Sequence, residues 1–135
     1  MGIPIKSLPE SVQRQIQVNP KLPPQFLKRP PAHTPGEMNS LERQYAMHLD
    51  LLQHAGEIAA WKFEADKFRL AYRCYYTPDF KVTFPDGRIE YHEVKGYWRE
   101  DARIKIKVAA AAFTQFQFVG VQLVDHLWQF ERFKP

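Results

Sequence analysis

Residues 80–95 restrict the fold more than any other stretch, because they spell out a β-hairpin together with its turn. Phe80, Val82 and Phe84 alternate with polar residues, Pro85-Asp86-Gly87 supplies turn chemistry, and Ile89 to Lys95 carries the returning strand. Strand side chains alternate between faces, so Glu93 and Lys95 share one face while Val94 takes the other. In an antiparallel pair, opposed residues have numbers of constant sum. Grouping Phe80, Val82 and Phe84 with Ile89 and Tyr91 needs an odd sum such as 173, which a two-residue Asp86-Gly87 turn also gives. Bringing Asp79 onto the face of Glu93 needs an even one such as 172. That conflict predicts a β-bulge or sharp bend near residues 79–80 or 92–93.

The rest of the body supplies partners for this hairpin. Asn39-Ser40 are N-cap residues ahead of a helix whose buried stripe is Leu41, Tyr45, Leu49 and Leu52, and Gly56 ends it. Ile58 to Phe63 and Phe68 to Tyr76 read as strands with a break at Ala65-Asp66. A second helix is expected over about Asp101 to Phe113, with Ile104, Val108, Ala111 and Ala112 facing inward. Gln117 to Leu123 reads as a further strand and Trp128 to Phe133 as an edge strand. A core order of α-β-β-β-α-β among these elements predicts an α/β (α+β) fold, a mixed sheet flanked by helices, over residues 38–135. Residues 1–37 hold eight of the eleven prolines, which predicts an extended arm with room for one short helix from Ser11 to Val18.

At 135 residues there is space for one core, and 44% apolar residues suffice to fill it. No apolar run approaches the ~20 residues of a membrane span, and Met1 to Lys6 lack a signal-peptide stretch. A single cysteine, Cys74, excludes an internal disulfide and a cysteine zinc site; it is expected as a buried, inert thiol in a cytoplasmic, reducing compartment. The net charge of +4 is unevenly placed. Residues 1–37 carry net +3, and residues 95–107 carry Lys95, Arg99, Arg103, Lys105 and Lys107 against Glu100 and Asp101, again net +3. A basic stripe beside acids suits a polyanion, and a solvated helix face is the plain alternative. The arm has three readings: a grip on a nucleic-acid backbone, a dock for a partner, or a flexible leader.

Two carboxylates and a lysine on neighbouring strands point to metal chemistry. Oxygen ligation by Asp79, Glu93, the Val94 main-chain carbonyl and water suits Mg²⁺, with Mn²⁺ substituting, and does not suit Zn²⁺. Such an ion polarises a phosphate and acidifies a bound water, and a lysine such as Lys95 orients that water or neutralises developing charge. Glu42, in the first turn of the first helix, is a candidate third acid. Asn39-x-x-Glu42 is equally a capping box.

Ser40-Leu41-Glu42, Tyr76-Thr77-Pro78-Asp79-Phe80 and His92-Glu93-Val94-Lys95-Gly96 together resemble the PD-(D/E)XK, or restriction-endonuclease-like, nuclease superfamily. With Ile104-Lys105-Ile106-Lys107 following, the chain looks most like small phage and prophage nucleases of that fold, some considered Holliday junction resolvase-like. The resemblance spans about residues 38–124. It implies a restriction-endonuclease-like α-β-β-β-α-β core, with Asp79, Glu93 and Lys95 as catalytic residues and Glu42 as accessory acid. The implied activity is Mg²⁺-dependent endonucleolytic hydrolysis of DNA, in recombination, junction or end processing. Lys105, Lys107, Arg103 and Arg99, with Lys28 and Arg29 of the arm, are the expected DNA contacts. A homodimer or larger assembly would let both strands be cut. Two other readings remain open: a non-catalytic nuclease-fold module that binds DNA or assembles, and a nuclease directed at RNA. His92 is read as packing or a surface hydrogen bond, Tyr97 and Trp98 as core in preference to base stacking, and Asp66, Asp86, Glu90 and Glu131 as turn or surface acids.

Overall fold

The computed structural model describes residues 34–135. The chain divides between Thr34 and Pro35, a little ahead of the expected boundary, and Pro35–Pro135 form the unit that carries the body. Residues 1–33 of the arm, with its short helix and the contacts expected of Lys28 and Arg29, lie outside the described residues. Within them the order is α1 (Ser40–His54), β1 (Ala60–Phe63), β2 (Phe68–Ala71), β3 (Cys74–Tyr76), β4 (Phe80–Thr83), β5 (Ile89–Val94), α2 (Glu100–Ala112), β6 (Gln117–Val124) and β7 (Leu127–Phe133). One mixed five-stranded sheet runs β1-β4-β5-β6-β7; β5 and β6 are parallel and the other neighbours antiparallel. The β2–β3 hairpin stands apart from it.

Local chemistry sets the ends of α1. The Asn39 side chain accepts the Glu42 amide at 2.8 Å, and Glu42 Oε1 accepts the Asn39 amide at 2.9 Å. At the other end Gly56, at φ +79°, lets its own amide reach the Gln53 carbonyl and the Glu57 amide reach that of Leu52. The buried residues Tyr45, Ala46 and Leu49 then pack on Phe80, Val82, Val94, Val119 and Val121. On the opposite sheet face Tyr91, Phe118 and Phe133 meet Ile106, Ala109 and Ala110 of α2, with Phe68 and Tyr76 of the small hairpin.

Four expectations need correction. The β4–β5 ladder pairs Phe80 with His92 and Thr83 with Ile89 in one unbroken register, so the sum is 172 and no bulge is needed. The turn is longer than two residues: Phe84 and Arg88 close a loop of Pro85-Asp86-Gly87, in which Gly87 takes φ +90°. The stretch 68–76 is a hairpin of two strands, reversed at Tyr72-Arg73 with Arg73 at φ +54°. Finally, α2 is rotated from the expected face: Ile104 and Val108 are 52% and 42% exposed. The rings of Tyr91, Phe118 and Phe133 already fill the sheet surface, so small Ala109 and Ala110 fit against it where larger side chains would not. Gly120 serves the same face, because a Cβ there would lie 2.8 Å from the Trp98 ring.

Candidate active site

The even register puts Asp79, one residue before β4, opposite Glu93 of β5 and on its face. The two are bonded as well as adjacent. Asp79 Oδ2 accepts the Val94 amide at 2.8 Å, and the Asp79 amide reaches Glu93 Oε2 at 3.3 Å. Tyr76, which carried no expected role, donates its hydroxyl to Glu93 Oε2 at 2.8 Å. Lys95 Nζ stands 3.3 Å from Glu93 Oε1. Asp79 and Glu93 are buried, and Lys95 reaches toward them from the rim.

Pro78 shapes the backbone here. The Lys95 amide bonds across to Val121 of β6, so by alternation the Val94 backbone groups point toward β4. Extending the register places Pro78 opposite Val94. Proline has no N–H, so it cannot supply the ladder donor to the Val94 carbonyl, while the Val94 amide turns to Asp79. A main-chain oxygen is thereby available beside two carboxylates.

Electrostatics mark the pair. Burial first, and the Glu93 charge second, push the Asp79 carboxyl up to about 9, with Glu42 adding to the rise and the Val94 amide and Lys95 opposing it. Glu93 is also raised by burial, against the pull of Lys95, Tyr76 and the Asp79 amide. Burial works against the Lys95 charge, but Glu93, Asp79 and Glu42 outweigh it and raise its pKa. Glu42 therefore acts on the group by its charge, while one of its oxygens is committed to the capping box. The first turn of α1 lies beside the end of β5, where a Cβ on Gly96 would sit 3.7 Å from Leu41.

Among the described residues no three His, Cys, Asp or Glu side chains are grouped so as to hold a metal ion. A smaller set, Asp79, Glu93 and the Val94 carbonyl, is the one that could hold a hard cation here. That suits Mg²⁺, which binds through one or two carboxylates and keeps several waters and phosphate oxygens. Burial raises both carboxyls, and the Glu93 charge raises Asp79 further, so a cation bound there would displace protons from them and relieve the unfavourable burial of their charge.

A cleft of about 330 Å³ opens from Glu93 and Lys95 toward α2, walled by Tyr75, Tyr76, Asp101 and Lys105. Of the expected DNA contacts, Lys105 lines it. Lys107 is exposed, and its charge helps hold the Glu131 carboxyl low. Arg103 is taken up by Glu131 in a two-bond ion pair, one bond at 2.8 Å, with its guanidinium 5.5 Å from the Phe133 ring. Arg99 is exposed at the N-cap position of α2. Trp98 packs against the α2-side core as expected, but Tyr97 is 80% exposed. Glu90, expected at the surface, is 2% exposed, and His92 packs inside with it. Cys74 is a free thiol, only partly buried. No helix among the described residues is long and apolar enough to cross a membrane. Comparison of the chain with family models, curated proteins and solved structures finds no match in any of the three.

Proposed function

We propose that this protein is a Mg²⁺-dependent endodeoxyribonuclease of the PD-(D/E)XK type, acting in the cytoplasm of a host cell. The observation that carries the reading is the meeting of Asp79, Glu93 and Lys95 at one end of β4 and β5, on one face, with both carboxyls raised. The fold is compatible with it. Setting aside the inserted β2–β3 hairpin and the terminal β7, the remaining elements run α1-β1-β4-β5-α2-β6, an α-β-β-β-α-β order with adjacent sheet strands.

Asp79, Glu93 and the Val94 carbonyl would hold the ion, and the Glu42 charge would deepen the negative potential there. When bound, Mg²⁺ supplies a Lewis acid for the scissile phosphate and a coordinated water of lowered pKa. Tyr76 fixes the Glu93 carboxylate through its hydroxyl. Lys95, held protonated beside Glu93, donates to the attacking water or to the phosphate oxygens as charge builds there. Lys105 anchors a flanking phosphate from the opposite wall of the cleft. With one such site per chain, cutting both strands calls for a homodimer or a larger assembly.

The test is a panel of labelled duplex, single-stranded, branched and RNA substrates with Mg²⁺, Mn²⁺ or chelator. Metal-dependent cutting of DNA is expected, falling by at least about 10²–10³-fold in Asp79→Ala and Lys95→Ala, with the circular dichroism spectrum unchanged. Full activity in both variants would sink the mechanism. Absence of cutting together with no Mg²⁺ heat in calorimetry would leave a DNA-binding module.

A further inference from the structure

The β2–β3 hairpin adds nothing to the five-stranded sheet, yet it has a composition of its own. Residues 67–77 contain Lys67, Arg69 and Arg73 and no acid, interleaved with Tyr72, Tyr75 and Tyr76. Alternation sorts them. Phe68 and Tyr76 turn inward to the core beside α2, whereas Lys67, Arg69, Tyr72, Arg73 and Tyr75 are exposed. Arg69 and Tyr75 are direct cross-strand partners and so share the outer face. Lys67 Nζ lies 4.6 Å from the centre of the Tyr75 ring, and the Arg73 guanidinium 5.2 Å from that of Tyr72. As residues, Tyr75 and Tyr72 are 45% and 75% exposed. This face continues into the cleft, because Tyr75 lines the same cavity as Glu93, Lys95 and Lys105.

From this juxtaposition we infer that the outer face of the β2–β3 hairpin is a platform for an unpaired DNA strand, whose bases stack on Tyr75 and Tyr72 while Lys67, Arg69 and Arg73 hold its phosphates. The charge selects a polyanion. Exposed rings select unpaired bases, because the base faces of a duplex are already stacked on one another. The inference rests on the nuclease reading of the adjoining cleft and adds a substrate class to it: DNA with a flap, gap or branch beside the scissile phosphate, in preference to continuous duplex.

The test is fluorescence anisotropy on the full chain with a labelled DNA single strand, its duplex and an RNA strand of the same sequence. Chelator is present throughout, so that cutting plays no part. The single strand is expected to bind more tightly than the duplex. Tyr75→Ala and Tyr72→Ala should each weaken single-strand binding about fivefold or more, with a smaller effect on duplex, and Tyr75→Phe should bind as wild type does. Should Tyr75→Ala not fold, Tyr72→Ala at the exposed end of the hairpin carries the same comparison. Unchanged single-strand affinity in the double alanine variant overturns the inference, as do equal losses on duplex or a loss confined to RNA. Cutting is assayed separately with Mg²⁺. Tyrosine-dependent binding without cutting removes the nuclease reading and keeps the platform; cutting without tyrosine dependence does the reverse.

Discussion

Glu90 and Glu93 lie on the same strand, are both buried, and face opposite sides of the sheet. Glu90 looks toward α1 and has its charge answered there. His92 Nε2 is 2.9 Å from its Oε1, and Arg132 donates to its Oε2 at 3.0 Å. His92 Nδ1 is in turn 2.6 Å from the Tyr45 hydroxyl. Burial raises the Glu90 pKa, but the bonds from His92 and Arg132 outweigh it and hold the carboxyl below its ordinary range. Glu93 looks toward α2 and shares one lysine with Asp79, and both carboxyls are raised. The two sides differ in what answers the burial: bonds from His92 and Arg132 outweigh it at Glu90, whereas at Glu93 and Asp79 it remains the largest influence and a single lysine opposes it. A buried carboxylate answered by bonds keeps its charge inside the fold, whereas a pair raised by burial holds protons that, on the proposed reading, a cation would displace.

The sharpest way to break this contrast is to neutralise each acid alone. Glu93→Gln is expected to lower Mg²⁺-dependent cutting by about 10²–10³-fold or more while leaving the melting temperature equal or higher, since it relieves a like-charge contact. Glu90→Gln should do the opposite, keeping most activity at temperatures where the chain is folded. Removing the Glu90 carboxyl altogether, as Glu90→Ala, strands the buried His92 and the half-exposed Arg132. The expected loss is about 2–3 kcal/mol, below the usual figure for a fully buried pair because water screens the arginine. Urea unfolding measures it, and a Glu90→Ala protein as stable as wild type would erase the distinction between the two faces.

Metal and pH probe the unbalanced side. Mg²⁺ at 100 times its dissociation constant should stabilise the wild type by about 2.7 kcal/mol and leave an Asp79→Asn/Glu93→Gln protein unmoved, as thermal denaturation would show. Without metal, a carboxyl whose folded pKa lies above its unfolded value retains its proton better in the native state. Stability contributed by Asp79 therefore falls as pH rises from about 4, the ordinary Asp value, to about 9, and that contributed by Glu93 falls as pH rises above the ordinary Glu value. Glu90 tilts the other way: its contribution is present above the ordinary Glu value and is lost as pH falls through its depressed one. Melting curves across pH should show the decline toward alkali disappear in the Asp79→Asn/Glu93→Gln protein. In Glu90→Gln the loss on the acid side should disappear.

The contrast was half legible in the sequence. Alternation alone placed Glu93 and Lys95 together, and Pro78-Asp79 with Glu93-x-Lys95 marked the pair to look for. The register was not legible, because Pro85-Asp86-Gly87 allows a two- or a three-residue loop and the apolar pattern favoured the wrong one. That pattern failed because β5 is buried on both faces and carries Glu90 and His92 inward, where an apolar residue is the ordinary occupant. Their partners Tyr45 and Arg132 are far along the chain, and no local spacing announces them. Tyr76 was visible as part of a motif, but its bond to Glu93 follows from the hairpin, whose Tyr72-Arg73 reversal lacks Gly, Pro or Asn.

The same distinction between answered and unanswered charge applies to the basic residues of α2, where the expected effects are smallest. Arg103 and Lys105 sit two residues apart on the helix and would count equally in a charge tally. Arg103 is already bonded to Glu131 through both ends of its guanidinium, so contacting a phosphate would require giving that pair up. Lys105 lines the cleft beside Glu93 and Lys95, on the path a substrate strand would follow. DNA binding measured across salt concentrations should therefore separate them. Lys105→Ala is expected to flatten the logarithmic salt dependence by about one counterion, and Arg103→Ala to leave its slope unchanged. Equal slopes for the two variants would mean that the Arg103–Glu131 pair opens on binding, and that the helix meets DNA across its whole basic face.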